Sequence, residues 1–345
     1  MKNFENIGMT AELNSHFNEN YPVGIKLGRV ALEHKHSYRV WLEDGEYLCT
    51  LAGKLTFDAM GREDLPAVGD WVAVQTSPGE MRGIIKGILP RKSKFSRKAA
   101  GQVTEEQIVA ANVDTVFIVN SLNDDLNLRR IERYLLLAWE SGSNPVIILS
   151  KADLVTDLQA KLDQVSSVAI GVPVIAVSVL ERTGIQELQP YLTPGQTVAL
   201  IGSSGVGKSS LVNYFTGFEK QLVQEIRESD DKGKHTTTHR EMVLLPGGAI
   251  LIDTPGMREI QLWASEDGIA ESFADIEKYA ESCKFRDCSH HNEPGCSVWS
   301  AIYEGLLDEN RLASYKKLQK ELAYIDRKLD KKAQAEEKRH WKNIS

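Results

Sequence analysis

The sequence predicts a multidomain protein: a small N-terminal β-barrel of OB-like type, a central α/β domain built on a phosphate loop with circularly permuted motif order, and a C-terminal, mostly α zinc-binding domain. Three observations carry this expectation. Short alternating apolar runs broken by turn residues fill the stretch from Pro22 to Pro90. Short continuous apolar runs alternate with helical patterns from Asp114 to about Glu259. Three of the four cysteines crowd into residues 283–296, beside His290. The expected segments are 1–20 as a mobile arm, 21–98 as the barrel, 105–262 as the α/β domain and 263–345 as the helical domain with a basic tail.

The bulk composition bounds the function classes. With 345 residues, 42% hydrophobic and 26% charged, the chain has enough apolar mass for two or three packed cores. No apolar run approaches the roughly 18 residues that span a bilayer, and the N-terminus lacks a secretory pattern, so a cytoplasmic protein is expected. The net charge of −7 hides two basic stretches. Lys316 to Lys342 carries ten Lys/Arg against five Asp/Glu, and Met81 to Thr104 contains Lys and Arg but no acid. Local contact with a polyanion follows more naturally than a generally sticky surface.

Residues 1–20 are polar and show no clear period. In the barrel, Tyr38-Arg39-Val40-Trp41-Leu42, Glu46-Tyr47-Leu48-Cys49-Thr50 and Asp70-Trp71-Val72-Ala73-Val74 read as strands, with Asp44-Gly45 and Gly69-Asp70 as turns. About five strands in roughly 70 residues fit an OB-like or an SH3-like barrel. Cys49, alone here, reads as a small buried hydrophobe. Arg91, Lys92, Lys94, Arg97 and Lys98 surround Phe95, a pattern suited to a phosphate backbone with a stacked base.

The α/β strands read as Thr115–Val119, Val146–Leu149, Val174–Val177, Thr197–Ile201 and Ala249–Ile252, buried on both faces of a parallel sheet. Ile131, Leu135 and Ala138 recur at helical spacing between them. Near the C-terminus, Leu312, Tyr315, Leu318, Leu322 and Ile325 form the apolar stripe of a charged helix.

The chemistry lies in the connections. Gly202-Ser203-Ser204-Gly205-Val206-Gly207-Lys208-Ser209, with Ser210 after it, follows a strand and opens a helix. Its backbone amides would surround phosphates, Lys208 would reach the β- and γ-phosphates, and Ser209 would join the Mg²⁺ shell. Asp253, at a strand end, fits the carboxylate that holds Mg²⁺, and Gly256 fits an amide that senses the γ-phosphate. One threonine of Thr236–Thr238, with Thr237 central, would complete the Mg²⁺ shell from a switch loop; the residues alone do not choose among them.

Ser150-Lys151-Ala152-Asp153 resembles a guanine-reading motif, and Ser178-Val179-Leu180 its supporting loop. The Asp153 carboxylate can accept both N1–H and N2–H of guanine, donors that adenine does not present together. Lys151 can cover the base. The usual first residue of that motif is Asn, and Ser150 has lost its amide, which implies weaker guanine binding. Met257 stands where many GTPases place a water-orienting Gln, so slow hydrolysis until a partner completes the site is expected. His235 and His239 flank the threonines as alternative polar groups. All the parts of a GTPase are present, with the guanine elements ahead of the phosphate loop. Cys283, Cys288, His290 and Cys296 supply three thiolates and one imidazole, a closed and therefore structural Zn²⁺ set, with His291 as the alternative to His290.

These motifs, together with Gly233–Arg240 and Asp253–Glu259, resemble those of the bacterial small-ribosomal-subunit-dependent GTPases of ribosome biogenesis. The resemblance spans nearly the whole chain. It implies an OB-fold barrel, GTP hydrolysis to GDP stimulated by the small subunit, contact with ribosomal RNA and a role in late subunit maturation. A monomer with one structural Zn²⁺, and with Mg²⁺ accompanying GTP, is expected. The permuted order also sets the segment after Asp253 directly ahead of the zinc domain, so a γ-phosphate-dependent shift there would be passed on to it. The competing classes are a free-standing regulatory GTPase and an RNA-binding scaffold with negligible turnover.

Overall fold

The computed structural model describes residues 3–34, 37–98, 106–123, 126–217, 241–253 and 269–327, with 271, 292, 325 and 326 excepted. Strands β1 (Ile25–Glu33), β2 (Tyr38–Leu42), β3 (Gly45–Leu51), β4 (Trp71–Thr76) and β5 (Arg82–Ile88) close on themselves in the order β1-β2-β3-β5-β4-β1. β3 and β5 run parallel and the other neighbours antiparallel. That order is the Greek-key arrangement of an OB barrel and excludes the SH3-like alternative. Val30, Val40, Leu42, Cys49, Val72, Val74 and Ile85 fill its interior. Closure needs small residues at the tightest crossings: a Cβ at Gly83 would lie 2.6 Å from Val74 Cγ1. Burial pushes the Cys49 thiol up to about 12, in keeping with its role as a small core residue.

The N-terminal residues differ from the expected mobile arm. Helix α1 (Ala11–Asn20) is capped by Thr10, whose side chain accepts a hydrogen bond from the Leu13 amide, while Ile7 and Leu13 are buried. Phe4 meets Trp71 edge-on at 5.6 Å. Phe4, Ile7 and Leu13 reach the core from a 3-10 turn and then a helix, so no single period marks them.

Within the basic stretch leaving the barrel, the stacking face expected at Phe95 is corrected. A short helix, α2 (Gly53–Asp58), precedes β4, and β6 (Lys94–Lys98) pairs antiparallel with β7 (Glu106–Ala111) as a separate ribbon. Phe95 is 0% exposed and offers no face to a base. Arg91 donates to both Asp70 oxygens and to the carbonyls of Glu63 and Leu65. Lys92 pairs with Asp114 at 2.5 Å and Lys94 with Glu106 at 2.8 Å. These three cations neutralise acids that lie far away in sequence, which a local count of charge does not register.

The central sheet contains β8 (Thr115–Ser121), β9 (Asn144–Ser150), β10 (Val174–Val177), β11 (Thr197–Ile201), β12 (Glu241–Leu244) and β13 (Ile250–Asp253), in the order β10-β9-β8-β11-β13-β12. All are parallel except β12. One face packs with α3 (Leu128–Glu140) through Ile131, Leu135 and Ala138; the other packs with α5 (Lys208–Thr216) through Leu211 and Phe215. Helix α4 (Leu158–Ser166) precedes β10. β12 also pairs with β1, so the sheet runs on into the barrel wall.

Arg29 locks that junction. It is 1% exposed and donates to Gly69 O (3.1 Å), Asn112 O (3.3 Å), Thr197 Oγ1 (2.9 Å) and Ile7 O, with its guanidinium 5.4 Å from the Trp71 ring centre. Burial lowers its pKa to about 10, which leaves it charged at neutral pH. Arg29→Met strands these acceptors in a dry interior, so urea denaturation should show a loss of about 3–5 kcal/mol. A loss below about 1 kcal/mol would show that other contacts hold the barrel to the sheet.

The C-terminal part contains α6 (Ala274–Ala280), α7 (Ser297–Tyr303) and a helix over 309–324. Leu312, Tyr315, Leu318 and Leu322 are buried, whereas Ile325 and the basic tail beyond 327 lie outside the described residues. Arg311 joins this helix to α3 at Glu132 (3.0 Å) and to α6 at Asp275 (2.6 Å), and Ser314 donates to Glu132 at 2.7 Å. Glu132 is 2% exposed, and these partners satisfy both of its buried oxygens.

Candidate nucleotide site and metal centre

The C-terminal ends of β9, β11 and β13 and the turn that follows β10 lie at one edge of the sheet, where ligands bind in open α/β folds. β11 ends at Ile201 and α5 begins at Lys208, so Gly202–Gly207 form the intervening loop. Gly202, Gly205 and Gly207 adopt φ of 148°, 80° and 96°, a region that favours glycine. At Gly202 space adds a second constraint, because a Cβ would lie 2.3 Å from Val119 O.

Lys208 Nζ donates to the carbonyls of Gly202 (2.7 Å) and Ser203 (2.6 Å), so the ammonium is folded back over its own loop. Ser209 and Ser210 stand exposed on the first helical turn. The register of β11 with β13 sets Leu200 beside Asp253. Burial pushes the Asp253 carboxyl above its ordinary value while Lys208 pulls it down. A cation bound beside Asp253 would favour the ionised form. Thr236–Thr238, His235, His239, Thr254, Pro255, Gly256 and Met257 lie outside the described residues.

The expected guanine elements come to the same edge. Ser150 is 2% exposed; its hydroxyl donates to Val206 O and lies 3.3 Å from Asn120 O. Its hydrogen bond therefore ties the end of β9 to the phosphate loop, a tie that the motif's usual Asn would also be long enough to make. Lys151 takes a left-handed φ of 59°, which turns the chain into the 3-10 segment Ala152–Leu154. Asp153 Oδ1 accepts from Ser178 Oγ at 2.5 Å, and Ser178 Oγ accepts from the Glu181 amide at 3.1 Å. Ser178, fully buried, thus orients the Asp153 carboxylate. One neighbour carries no signal in the motifs: Asn120, which follows the apolar run Val116–Val119 of β8, is 0% exposed.

Cys283, Cys288, His290 and Cys296 bring their ligand atoms within 4.8 Å of one another. The Cys283 and Cys296 sulfurs lie 3.7 and 3.5 Å from His290 Nδ1 and 3.9 Å from each other. A tetrahedral zinc with bonds of about 2.0–2.3 Å needs ligand separations of roughly 3.5–3.8 Å, so the set fits. His290 has φ 53°, and its carbonyl accepts from Trp299 Nε1 (2.7 Å) and Lys316 Nζ, which hold that conformation. His291 is exposed and paired with Ser289, outside the cluster. Gly295, at φ 82°, turns the chain toward Cys296.

A family model described as RsgA GTPase matches residues 88–263. The chain is 46% identical over 325 residues to the small ribosomal subunit biogenesis GTPase RsgA of Opitutus terrae, covering 92% of this chain and 89% of that protein. It is 45% identical to the protein of the same description from Methanosarcina acetivorans, covering 92% and 85%. Among solved structures, YjeQ from Thermotoga maritima superposes with a TM-score of 0.64 at 27% identity, covering 87% of this chain and 99% of that one. YloQ, described as a circularly permuted GTPase, shares the fold with a TM-score of 0.62 at 24% identity, covering 89% and 98%. No helix among the described residues is long and apolar enough to cross a membrane.

Proposed function

This chain belongs to the RsgA GTPase family, and from that membership we propose that it binds the small ribosomal subunit, hydrolyses GTP to GDP and phosphate under its stimulation, and assists late subunit maturation. The observation that supports this reading most directly is the gathering of Ser150–Asp153, Ser178, Gly202–Ser210 and Asp253 at one sheet edge, although the guanine elements precede the phosphate loop in the chain.

The loop amides and the N-terminus of α5 receive the phosphates. Lys208 exchanges its Gly202 and Ser203 carbonyls for the β- and γ-phosphate oxygens. Asp153, with one oxygen on Ser178, accepts the guanine N1–H and N2–H, and Lys151 covers the base. Ser209 and Asp253 would hold Mg²⁺, joined by one threonine of Thr236–Thr238, and the ion supplies neutralisation of phosphate charge. Gly256 senses the γ-phosphate, and His235 is the candidate polar group near the attacking water. Cys283, Cys288, His290 and Cys296 hold Zn²⁺ as a structural ion, since no open ligand position remains. Ribosomal RNA is the proposed docking partner, and the protein acts as a monomer.

The test is GTP turnover with and without purified small subunits at low and moderate salt. Strong stimulation that fades with salt is the expected result. Turnover indifferent to the subunit would sink the ribosomal reading and leave a free-standing GTPase.

A further inference from the structure

Asn120 is the unexplained group at the nucleotide edge. It is 0% exposed, and neither its Oδ1 nor its Nδ2 has a hydrogen-bond partner among the described residues. A buried carboxamide with both polar atoms unpaired opposes folding, so its presence calls for a state in which it is paired. Leucine, of similar size, would fill a strand interior without that cost.

Its position identifies the state. Val116 and Ile118 of β8 face the core on the α3 side, and Phe117 and Val119 face the α5 side. Asn120 continues the first series by alternation. On the neighbouring strand β9, Ile147 and Leu149 face that same core, and Asn120 is in register with Leu149. The next odd position is Lys151, at the point where β9 ends and the chain turns through a left-handed residue. Lys151 follows directly on the strand that pairs with β8, and its flexible four-carbon stem gives its ammonium a long reach. Lys151 is half-buried and its ammonium makes no hydrogen bond or ion pair among the described residues. Ser150, lacking the carboxamide usual in this motif, uses its hydroxyl on Val206 O and lies beside Asn120 O. An amide absent from position 150 is thus present on the adjacent strand, one residue out of register.

We propose that Asn120 is a positioning residue of the guanine site: when nucleotide binds, its Oδ1 accepts a hydrogen bond from the Lys151 ammonium and fixes the lysine stem over the base. The nucleotide covers the lysine and Asn120 holds its end. The buried amide is then paired in the bound state, and its cost without nucleotide becomes part of the difference between the two states. This inference rests on reading the edge as a guanine nucleotide site.

The test is a double-mutant cycle on the full-length protein, with GDP binding measured by titration calorimetry. Asn120→Leu should weaken GDP binding about tenfold, the expected effect of losing a hydrogen bond to a charged group. The unfolding temperature of the nucleotide-free protein should stay level or rise, an outcome that a purely structural role for the amide would not produce. In a Lys151→Met background the same change should add less than about a twofold loss. Asn120→Ala, which only removes atoms, serves the cycle if the leucine variant does not fold. Unchanged GDP affinity, or an equal loss in both backgrounds, overturns the proposal. A wild-type protein that bound no GDP would instead overturn the nucleotide-site reading beneath it.

Discussion

Lys208→Ala is expected to lower subunit-stimulated GTP turnover by about 10²–10³-fold, the scale of removing one preorganised donor from developing charge. The ammonium leaves the bonds to Gly202 O and Ser203 O when it moves onto phosphate, so the wild-type protein exchanges one set of acceptors for another. Alanine offers neither set. Nucleotide binding should weaken as well, because the contact exists before and during reaction, and both kcat and KM should therefore change. Steady-state turnover with saturating small subunits is the measurement. A kcat within about threefold of wild type would mean that the loop amides alone stabilise the transferring phosphoryl group, and Lys208 would lose its proposed role.

Cys296→Ser is expected to abolish stoichiometric zinc, from one ion per chain to none by elemental analysis. It should also lower the unfolding temperature by on the order of 10 °C, because structural zinc binding is part of the folding free energy of its domain. Cys296 is buried and both Cys283 Sγ and His290 Nδ1 lie near it, so its loss dismantles the tetrahedron from inside. Part of the domain should survive, since Arg311 and the stripe Leu312–Leu322 fasten the 309–324 helix to α3 independently. GDP affinity should stay within about twofold, as no zinc ligand comes from the nucleotide edge. Full metal content in the variant would show that the ion is held by other residues.

Much of this protein could be read without its fold. The glycine-lysine phosphate loop, the carboxylate at the end of an apolar strand and the Cys/His set are each encoded by a few neighbouring residues, whose chemistry needs little more than their spacing. Burial periodicity likewise marks β8, β9 and α3, because each packs a face or a whole strand into apolar surroundings. Reading fails where the deciding partner is remote. The cations at Arg91, Lys92 and Lys94 look unpartnered in sequence until Asp70, Asp114 and Glu106 are seen to face them. Phe95 looks available for stacking until the ribbon of β6 and β7 buries it.

The sequence by itself determined the chemical groups present and the permuted order in which they occur, since both are properties of contiguous chain. Only the tertiary structure decided that β3 runs parallel to β5, that Arg29 clamps the barrel to Thr197, and that the buried Asn120 side chain finds no partner among the described residues. Those outcomes depend on strand register and on burial shared between segments far apart in the chain, and neither quantity exists until the chain has closed on itself.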